Sequence, residues 1–388
     1  MEEERLSVRI VRRINEVTRE AWDSLVRDGS PFMRWDWLDC LEDSGCVCDR
    51  TGWAPHHLVV EKGEDLLGAC PLYLKSHSMG EFVFDHQWAS YAMQTGIQYY
   101  PKMLVGVPFT PVAGSRFLTA PGIDRKGVVT VLGRALVEIC GGNELSSIHI
   151  NFCDREEMDA LEDLDFIPKI GLQFHWQNRD YETFDDYLGA FRSGRRNKIK
   201  RERRELDNQG IRVRALPYDE ITPDVQRTLF ELYKHHIDRL YYGRQYLNRR
   251  FFDELLKRPY PFICPIVARR DGRIIAGTFN IRGPDALYGR YWGAFEDHRY
   301  LHFNVCYYAA IEHCIDESLA RFEAGAGGSF KNLRGLEAAK TYSAHYIRDD
   351  RFRNALTRHL QEERSETLAR QEYLLEGSPL KKEEGGEA

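Results

Sequence analysis

Residues 263–281 read Ile-Cys-Pro-Ile-Val-Ala-Arg-Arg-Asp-Gly-Arg-Ile-Ile-Ala-Gly-Thr-Phe-Asn-Ile. Apolar runs flank Arg270-Asp271-Gly272, and an Asp-Gly pair between two such runs is a hairpin signal, so strands are expected over 263–269 and 273–281. Leu58 to Tyr73 has the same shape, with two apolar runs around Gly63-Glu64-Asp65. Gly68 and Gly277 occupy matching places on the two outgoing strands. Each hairpin follows a helix-rich opening, so the pair reads as an internal duplication. The 388 residues suffice for two domains, each with its own core.

Outward from the hairpins, further strands are expected over 8–11, 147–151, 171–176 and 211–216. Helices are expected over 22–26, 35–41, 128–140, 156–164, 225–240, 250–256 and 304–319. Phe82 to Gly122 is too interrupted by Gly and Pro for helices and too apolar for a solvent loop, so it is expected to line a groove or a domain face. The chain is thus of the α/β (α+β) class. Its divisions are expected at 7–175 and 176–350, followed by a helix over 351–375 and a disordered tail over 376–388.

Hydrophobic residues make up 43% of the chain, charged ones 29%, and the net charge is −6. That balance excludes a global polyanion-binding surface and leaves room for a local basic patch. No stretch approaches the ~18 apolar residues of a membrane span. The acidic start Met1-Glu2-Glu3-Glu4-Arg5 is unlike a secretory signal, so a cytoplasmic protein without membrane insertion is expected. The nine cysteines include no Cys-x-x-Cys pair and are read as reduced. His56-His57 and His235-His236 lack a third ligand at metal spacing, so no metal is expected and both pairs are read as structural. No Gly-x-Ser-x-Gly elbow supports a serine hydrolase. No oligomeric state follows from the sequence.

Four stretches can carry chemistry. Arg195 to Arg204 holds seven basic residues and one acid. On a helix from Phe184 to Leu206, continuous or kinked at Gly194, Arg196, Lys200 and Arg203 could grip phosphates; a solvated, ion-paired face is the alternative. Phe84-Asp85-His86-Gln87-Trp88 and Tyr99 to Pro111 place Asp85 and Lys102 among apolar residues, either on a pocket wall or as a buried ion pair. Gly289-Arg290-Tyr291-Trp292-Gly293 leads to a helix start near His302, where backbone amides could receive an anion. Glu323 to Gly335 carries Gly325, Gly327 and Gly328 with Lys331 and Arg334 beside them, a loop able to bind an oxyanion or phosphate. It lacks the Walker and dinucleotide spacings.

Taken together, these motifs resemble the FemAB-like group of the GNAT N-acyltransferase superfamily. The resemblance rests on Phe84 to Trp88, Tyr100-Pro101-Lys102 with Val107 to Val112, Arg201 to Arg204, Gly289 to Gly293, Leu301-His302-Phe303 with Cys306-Tyr307-Tyr308, and Arg334-Gly335 with Tyr342 to His345. It implies two tandem GNAT-like domains, each a mixed central sheet flanked by helices, and transfer of an acyl or aminoacyl group to an amine. No cofactor is bound permanently; the donor is acyl-coenzyme A or aminoacyl-tRNA. The acceptor is an amine-bearing small molecule or peptide, and tRNA is a partner if it is the donor. Relatives are expected to carry Leu-His-Phe-Glu and Gly-Glu-His-Lys where this chain has Leu301-His302-Phe303-Asn304 and Gly328-Ser329-Phe330-Lys331.

On this reading the catalytic residues are Lys331, Glu323 and His302. Lys331, on a mobile loop and needing no partner, would support the oxyanion with amides near Gly327 and Gly328; Glu323 or His302 would take the proton. Asp85, His86, Lys102, Arg290, Tyr291 and Arg334 would bind substrate, while Arg196, Lys200, Arg203, Gly327 and Gly328 would hold the donor's phosphates. A non-catalytic protein recognising a cell-wall precursor or nucleic acid is the other reading.

Overall fold

The computed structural model describes residues 6–241, 243–325 and 327–381. In chain order the first half runs β1 (Leu6–Val11), α1 (Arg19–Ser24), α2 (Trp35–Asp43), β2 (Trp53–Pro55), β3 (His57–Lys62), β4 (Asp65–Cys70), β5 (Leu72–Lys75), α3 (His86–Gln94), β6 (Lys102–Val105), β7 (Leu118–Thr119), α4 (Arg125–Gly142), β8 (Ser147–Cys153), α5 (Arg155–Glu162) and β9 (Ile167–Gln177). It continues through α6 (Phe184–Gly189), α7 (Ser193–Asn208), β10 (Arg212–Ala215), α8 (Pro223–Asp238), α9 (Arg249–Lys257), β11 (Ile266–Arg270), β12 (Arg273–Arg282) and β13 (Ala286–Ala294). Last come α10 (Leu301–Phe303), a π-turn over Asn304–Tyr308, α11 (Ala309–Asp316), β14 (Arg321–Glu323), β15 (Glu337–Ile347) and α12 (Asp350–Glu376).

Two compact units result, and neither is one continuous stretch. The first takes the chain up to Gly171, then Tyr246–Arg258 and Lys340–Leu368; the second takes Leu172–Gln245, Pro259–Ala339 and the chain from Ala369. The division at 171 falls near the expected 175, but two later segments return to the first unit, contrary to a simple cut at 176–350. Their contacts explain why. Phe251 of α9 packs edge-on against Trp37, with ring centroids 5.3 Å apart, and Arg258 pairs with Asp39 at 2.6 Å. Tyr342 to Ile347 of β15 pair antiparallel with β8.

In the first unit β1, β3, β4 and β7 form an antiparallel sheet, and a second sheet carries β6 parallel to β8 with β5 antiparallel to β6. In the second unit β10, β11, β12 and β13 form the equivalent antiparallel meander, and β14 joins β13 in parallel. Both hairpins are present. Asp271 and Gly272 have φ of 50° and 79°, the positive values that a tight Asp-Gly turn requires. The paired glycines have a shared use: a Cβ on Gly68 would meet Val128 of α4 at 2.5 Å, and one on Gly277 would come within 3.4 Å of Leu232 of α8. Each outgoing strand thus lets a helix lie directly on it. Gly68→Ala should cost about 1–3 kcal/mol in urea unfolding, because overpacking a stiff β-branched neighbour forces backbone shifts; an unchanged midpoint would refute that close packing.

Two expectations fail. The Phe82–Gly122 passage contains α3 and the fully buried strand β6, so it is core as much as groove wall. The tail does not leave the fold at 376: Leu380 is 6% exposed, bridges to Phe191 and joins the second unit's core, while Lys381 N donates to Ala190 O. Residues 382–388 lie outside the described residues. All nine cysteines are free, seven of them buried.

Candidate functional site

In the second unit β14 lies between β13 and β9, with Glu323 directly opposite Tyr288 on one side and His175 on the other. Residues opposite in register project on the same face, so these three side chains form a row. Pairing of β13 with β14 stops at Tyr288, whereas β13 continues to Ala294. The strands part there. At the same point Phe279 faces Tyr291 and Asn280 faces Gly289, leaving Arg290 as the extra residue of a β-bulge. Such a bulge re-aims one side chain without ending the strand.

Glu323 is 4% exposed. Its Oε1 accepts a hydrogen bond from Arg321 Nε at 3.0 Å, while Oε2 stands 3.8 Å from His175 Nε2 and has no hydrogen-bond partner among the described residues. A buried carboxylate oxygen without a donor is costly in a finished core and calls for an explanation. Burial pushes the His175 imidazole below its ordinary pKa, the nearby Glu323 only partly opposing this.

The loop after β14 turns through Gly325, Gly327 and Gly328, whose φ values of 76°, 73° and 84° lie in the left-handed region. Lys331 reaches back across it: Nζ donates to Ala324 O at 2.9 Å and Gly325 O at 2.7 Å. It is 3% exposed, and burial lowers its pKa to about 8. The lysine is therefore anchored, contrary to the mobile, partnerless group expected, because its ammonium replaces lost water with the loop's own carbonyls. Among the described residues a Cβ on Gly327 would meet nothing within 4 Å.

His302 belongs to a different surrounding. Its ring packs against Trp292 at 4.8 Å and Tyr307 at 5.5 Å, and burial together with Arg334 pushes its pKa down to about 4. With His235, His236, Arg239, Trp292 and Tyr300 it lines a cavity of about 440 Å³. His235 and His236, read as structural, thus face open space, and the sequence signal for them was their place at the end of an amphipathic helix. The anion site expected at the helix start is not built. Leu301 N is already bonded to His298 O, α10 has only three residues before the π-turn, and Glu296 and Asp297 line the same cavity.

Several expected ligand-binding groups are engaged within the protein. Arg334, 4% exposed, lies 3.4 Å over the Phe303 ring, pairs with Glu202 at 3.4 Å and donates to Phe330 O. It is unavailable to a substrate as placed. Arg203 makes a forked bond to Glu312, 2.8 Å to each oxygen, over the Phe184 ring, so it ties α7 to α11 rather than presenting to phosphate. Lys200 is exposed and 3.2 Å from Asp185; Arg196 is half-buried on the same helix. Arg290 lies within electrostatic reach of Glu323, and its guanidinium is 5.4 Å from the Tyr291 ring, which packs on Tyr233. Buried Asn304 donates to the backbone oxygens of Glu202 and Tyr300; the side chain of Ser329 lies outside the described atoms.

Asp85, His86 and Lys102 belong to the first unit. Lys102 is 0% exposed and bonded to Asp85 and to Glu81, the latter at 2.8 Å, and Tyr99 OH donates to Asp85 at 2.7 Å. The buried ion pair, not an exposed pocket wall, is what the structure shows, with the lysine at zero exposure and both carboxylates on its ammonium. Behind it His149 and His345 are bonded Nδ1 to Nδ1 at 2.9 Å. His86 opens α3 and is exposed. What gathers at the parted strands is therefore Glu323, His175, Lys331 and Arg290. His175 was missed in the sequence, where it reads as one polar residue within a strand. No group of His, Cys, Asp and Glu able to hold a metal occurs among the described residues.

The profile of the FemAB-like family, described as peptidoglycan biosynthesis/recognition, matches residues 13–382. No curated protein matches the chain in sequence. Among solved structures the chain is similar to FemX, at 13% identity and a TM-score of 0.53, over 85% of this chain and 96% of that one. It is also similar to the C-terminal domain of a putative lysylphosphatidylglycerol synthetase from Agrobacterium fabrum, at 12% identity and a TM-score of 0.54, over 89% of this chain and 96% of that one. At such identities the shared property is the fold, an α/β chain in which each unit carries an antiparallel meander and a parallel strand pair. No helix among the described residues is long and apolar enough to cross a membrane.

Proposed function

Because the chain belongs to the FemAB-like peptidoglycan biosynthesis/recognition family, we propose that it is a transferase that moves an acyl or aminoacyl group onto an amine, with the reaction at the parting of β13 and β14. One observation carries the reading: the buried, unpartnered Oε2 of Glu323 sits beside the gap between the two strands. Glu323 would take the acceptor's proton, with His175 behind it. Lys331 and the turn at Gly327 would support the oxyanion of the tetrahedral intermediate, and Arg290 would hold an anionic part of a substrate. The name of the lysylphosphatidylglycerol synthetase domain supports an aminoacyl group as cargo, and acyl-coenzyme A or aminoacyl-tRNA is the donor to be tested. A binding-only role has one observation in its favour, the commitment of the Lys331 ammonium to two loop carbonyls.

The test is to offer the purified protein radiolabelled acyl-coenzyme A and aminoacyl-tRNA in separate reactions, each with a mixture of amino-terminal peptides and small amines, after mass spectrometry of whatever it retains. Label appearing in an amine product supports the reading; retention of a ligand with no turnover of either donor overturns it. In an active preparation, Lys331→Ala should lower the rate about 10²- to 10³-fold, the usual cost of one oxyanion contact. The ratio of the wild-type rate to that of Lys331→Ala should also fall as pH rises through about 8, because the Lys331 ammonium is lost there while deprotonation of the acceptor amine raises both rates alike. A ratio flat from pH 7 to 9 would remove Lys331 from the chemistry.

A further inference from the structure

Within α7 the seven basic residues of Arg195–Arg204 enclose one acid, Glu202, and it points inward. Glu202 is 1% exposed, and its carboxylate accepts a hydrogen bond from Tyr308 OH and stands 3.4 Å from Arg334. Its backbone oxygen receives Asn304 Nδ2 at 3.1 Å. Thus one residue holds both ends of the π-turn Asn304–Tyr308, an irregularity that helices keep at functional positions more often than elsewhere. Arg334 passes the connection on. It ends the 3₁₀ turn Ser329–Arg334, donates from Nη1 to Phe330 O at 3.1 Å, lies 3.4 Å over the Phe303 ring, and has its own carbonyl held by Tyr187 OH at 2.6 Å. Lys331 is the next residue after Phe330.

We propose that Glu202 is a positioning residue that, by holding Arg334 and Tyr308, clamps the 3₁₀ turn against the π-turn and so fixes the place of the Lys331 ammonium. The relevance to catalysis rests on the function proposed above, but the clamp itself does not. A buried ion pair is weak grounds for stability, and this one joins α7 to the end of the 3₁₀ turn. Here the geometry fixed is that of a lysine whose carbonyl partners, Ala324 and Gly325, lie on the far side of a glycine loop that has little stiffness of its own.

The experiment reads Lys331 without any substrate. Wild-type protein and Glu202→Gln are treated briefly with acetic anhydride across pH 6.5 to 10, and acetylation of Lys331 and of exposed Lys62 is followed by peptide mass spectrometry. Glutamine keeps the volume and an acceptor for Tyr308 while removing the charge that holds Arg334. The variant should acetylate Lys331 at least tenfold faster, with a midpoint moved toward that of Lys62, and Lys62 should be unchanged. Among the described residues the titratable groups coupled electrostatically to Lys331 are Cys306, His175 and His302, and none is altered. An unchanged Lys331 rate and midpoint in folded Glu202→Gln overturns the proposal, even if thermal stability drops, because that would show a merely structural ion pair. If Glu202→Gln does not fold, Arg334→Lys decides: a lysine keeps the charge but cannot stack on Phe303 and reach Phe330 O together, so Lys331 should again react faster, and an unchanged rate overturns the clamp. Loss of transfer activity with unchanged labelling would refute the clamp and leave the proposed function standing; altered labelling in a protein that turns over no donor would do the reverse.

Discussion

Glu323→Gln should lower the rate of transfer by about 10² to 10⁴ in single-turnover measurements, the range for removing a general base. An amine with a pKa near 10 is mostly protonated at pH 7 and cannot attack a carbonyl until that proton leaves. Glu323 is the one carboxylate in the row at the parted strands, and its free oxygen faces His175 rather than a fixed donor. The substitution should be tolerated by the fold, because Arg321 keeps Asp285 at 2.6 Å and Tyr288 OH at 3.1 Å when its bond to Glu323 weakens. His302→Ala should cost much less. An imidazole pushed down to about 4 is a weak base, and it stands among Trp292, Tyr307 and Phe330 rather than in the Glu323 row. A folded Glu323→Gln within threefold of wild type would place proton removal elsewhere.

The second large effect is on stability in acid. His149 and His345 are at most 2% exposed, and burial holds both imidazoles neutral well below the ordinary pKa of 6.5, the Lys102 ammonium adding to the effect. In the unfolded chain each takes up a proton as pH falls through 6.5; in the folded chain neither does. Stability is therefore fully present above that value and is lost below it, at about 1.4 kcal/mol per pH unit for each group and about 2.7 for the pair. Over two pH units this rivals the whole stability of a typical domain. Glu81 and Glu157, whose carboxyls burial pushes up, act in the opposite sense, so the comparison should be differential. The stability lost between pH 7.5 and 5.0 in urea unfolding should be smaller in His345→Gln than in wild type by about 2 kcal/mol, about 1.4 for each of the roughly 1.5 units below 6.5. Parallel dependences would mean that the pair titrates normally in the folded state.

The duplicated hairpins were legible because an Asp-Gly turn and a strand glycine are local facts, decided within twenty residues. Helix α3 was not, for a physical reason: Asp85 stands at its N-cap yet makes no capping bond, its carboxylate being taken by Lys102, so the usual start signal is spent on a tertiary contact. The Lys331 loop was visible through its glycines, but not the lysine's anchoring, which follows from the carbonyls it folds back upon. Glu202 and His175 needed distant partners. Arg334 lies 132 residues beyond Glu202, and Glu323 meets His175 only because β14 inserts between β13 and β9. In sequence the one looks like a stray acid on a basic surface and the other like a lone polar residue in a strand.

The return of α9 and β15 to the first unit bears on how the chain is made. That unit needs residues up to Leu368, so during synthesis it remains incomplete for the 197 residues after Gly171, roughly 10–40 s at ordinary elongation rates. Meanwhile β8 lacks the neighbour supplied by Tyr342–Ile347, and Trp37 lacks Phe251. The nascent chain consequently leaves the ribosome with one strand edge and one aromatic face waiting, a natural point for a chaperone to bind. An expression plasmid ending near residue 175 would make that transient condition permanent.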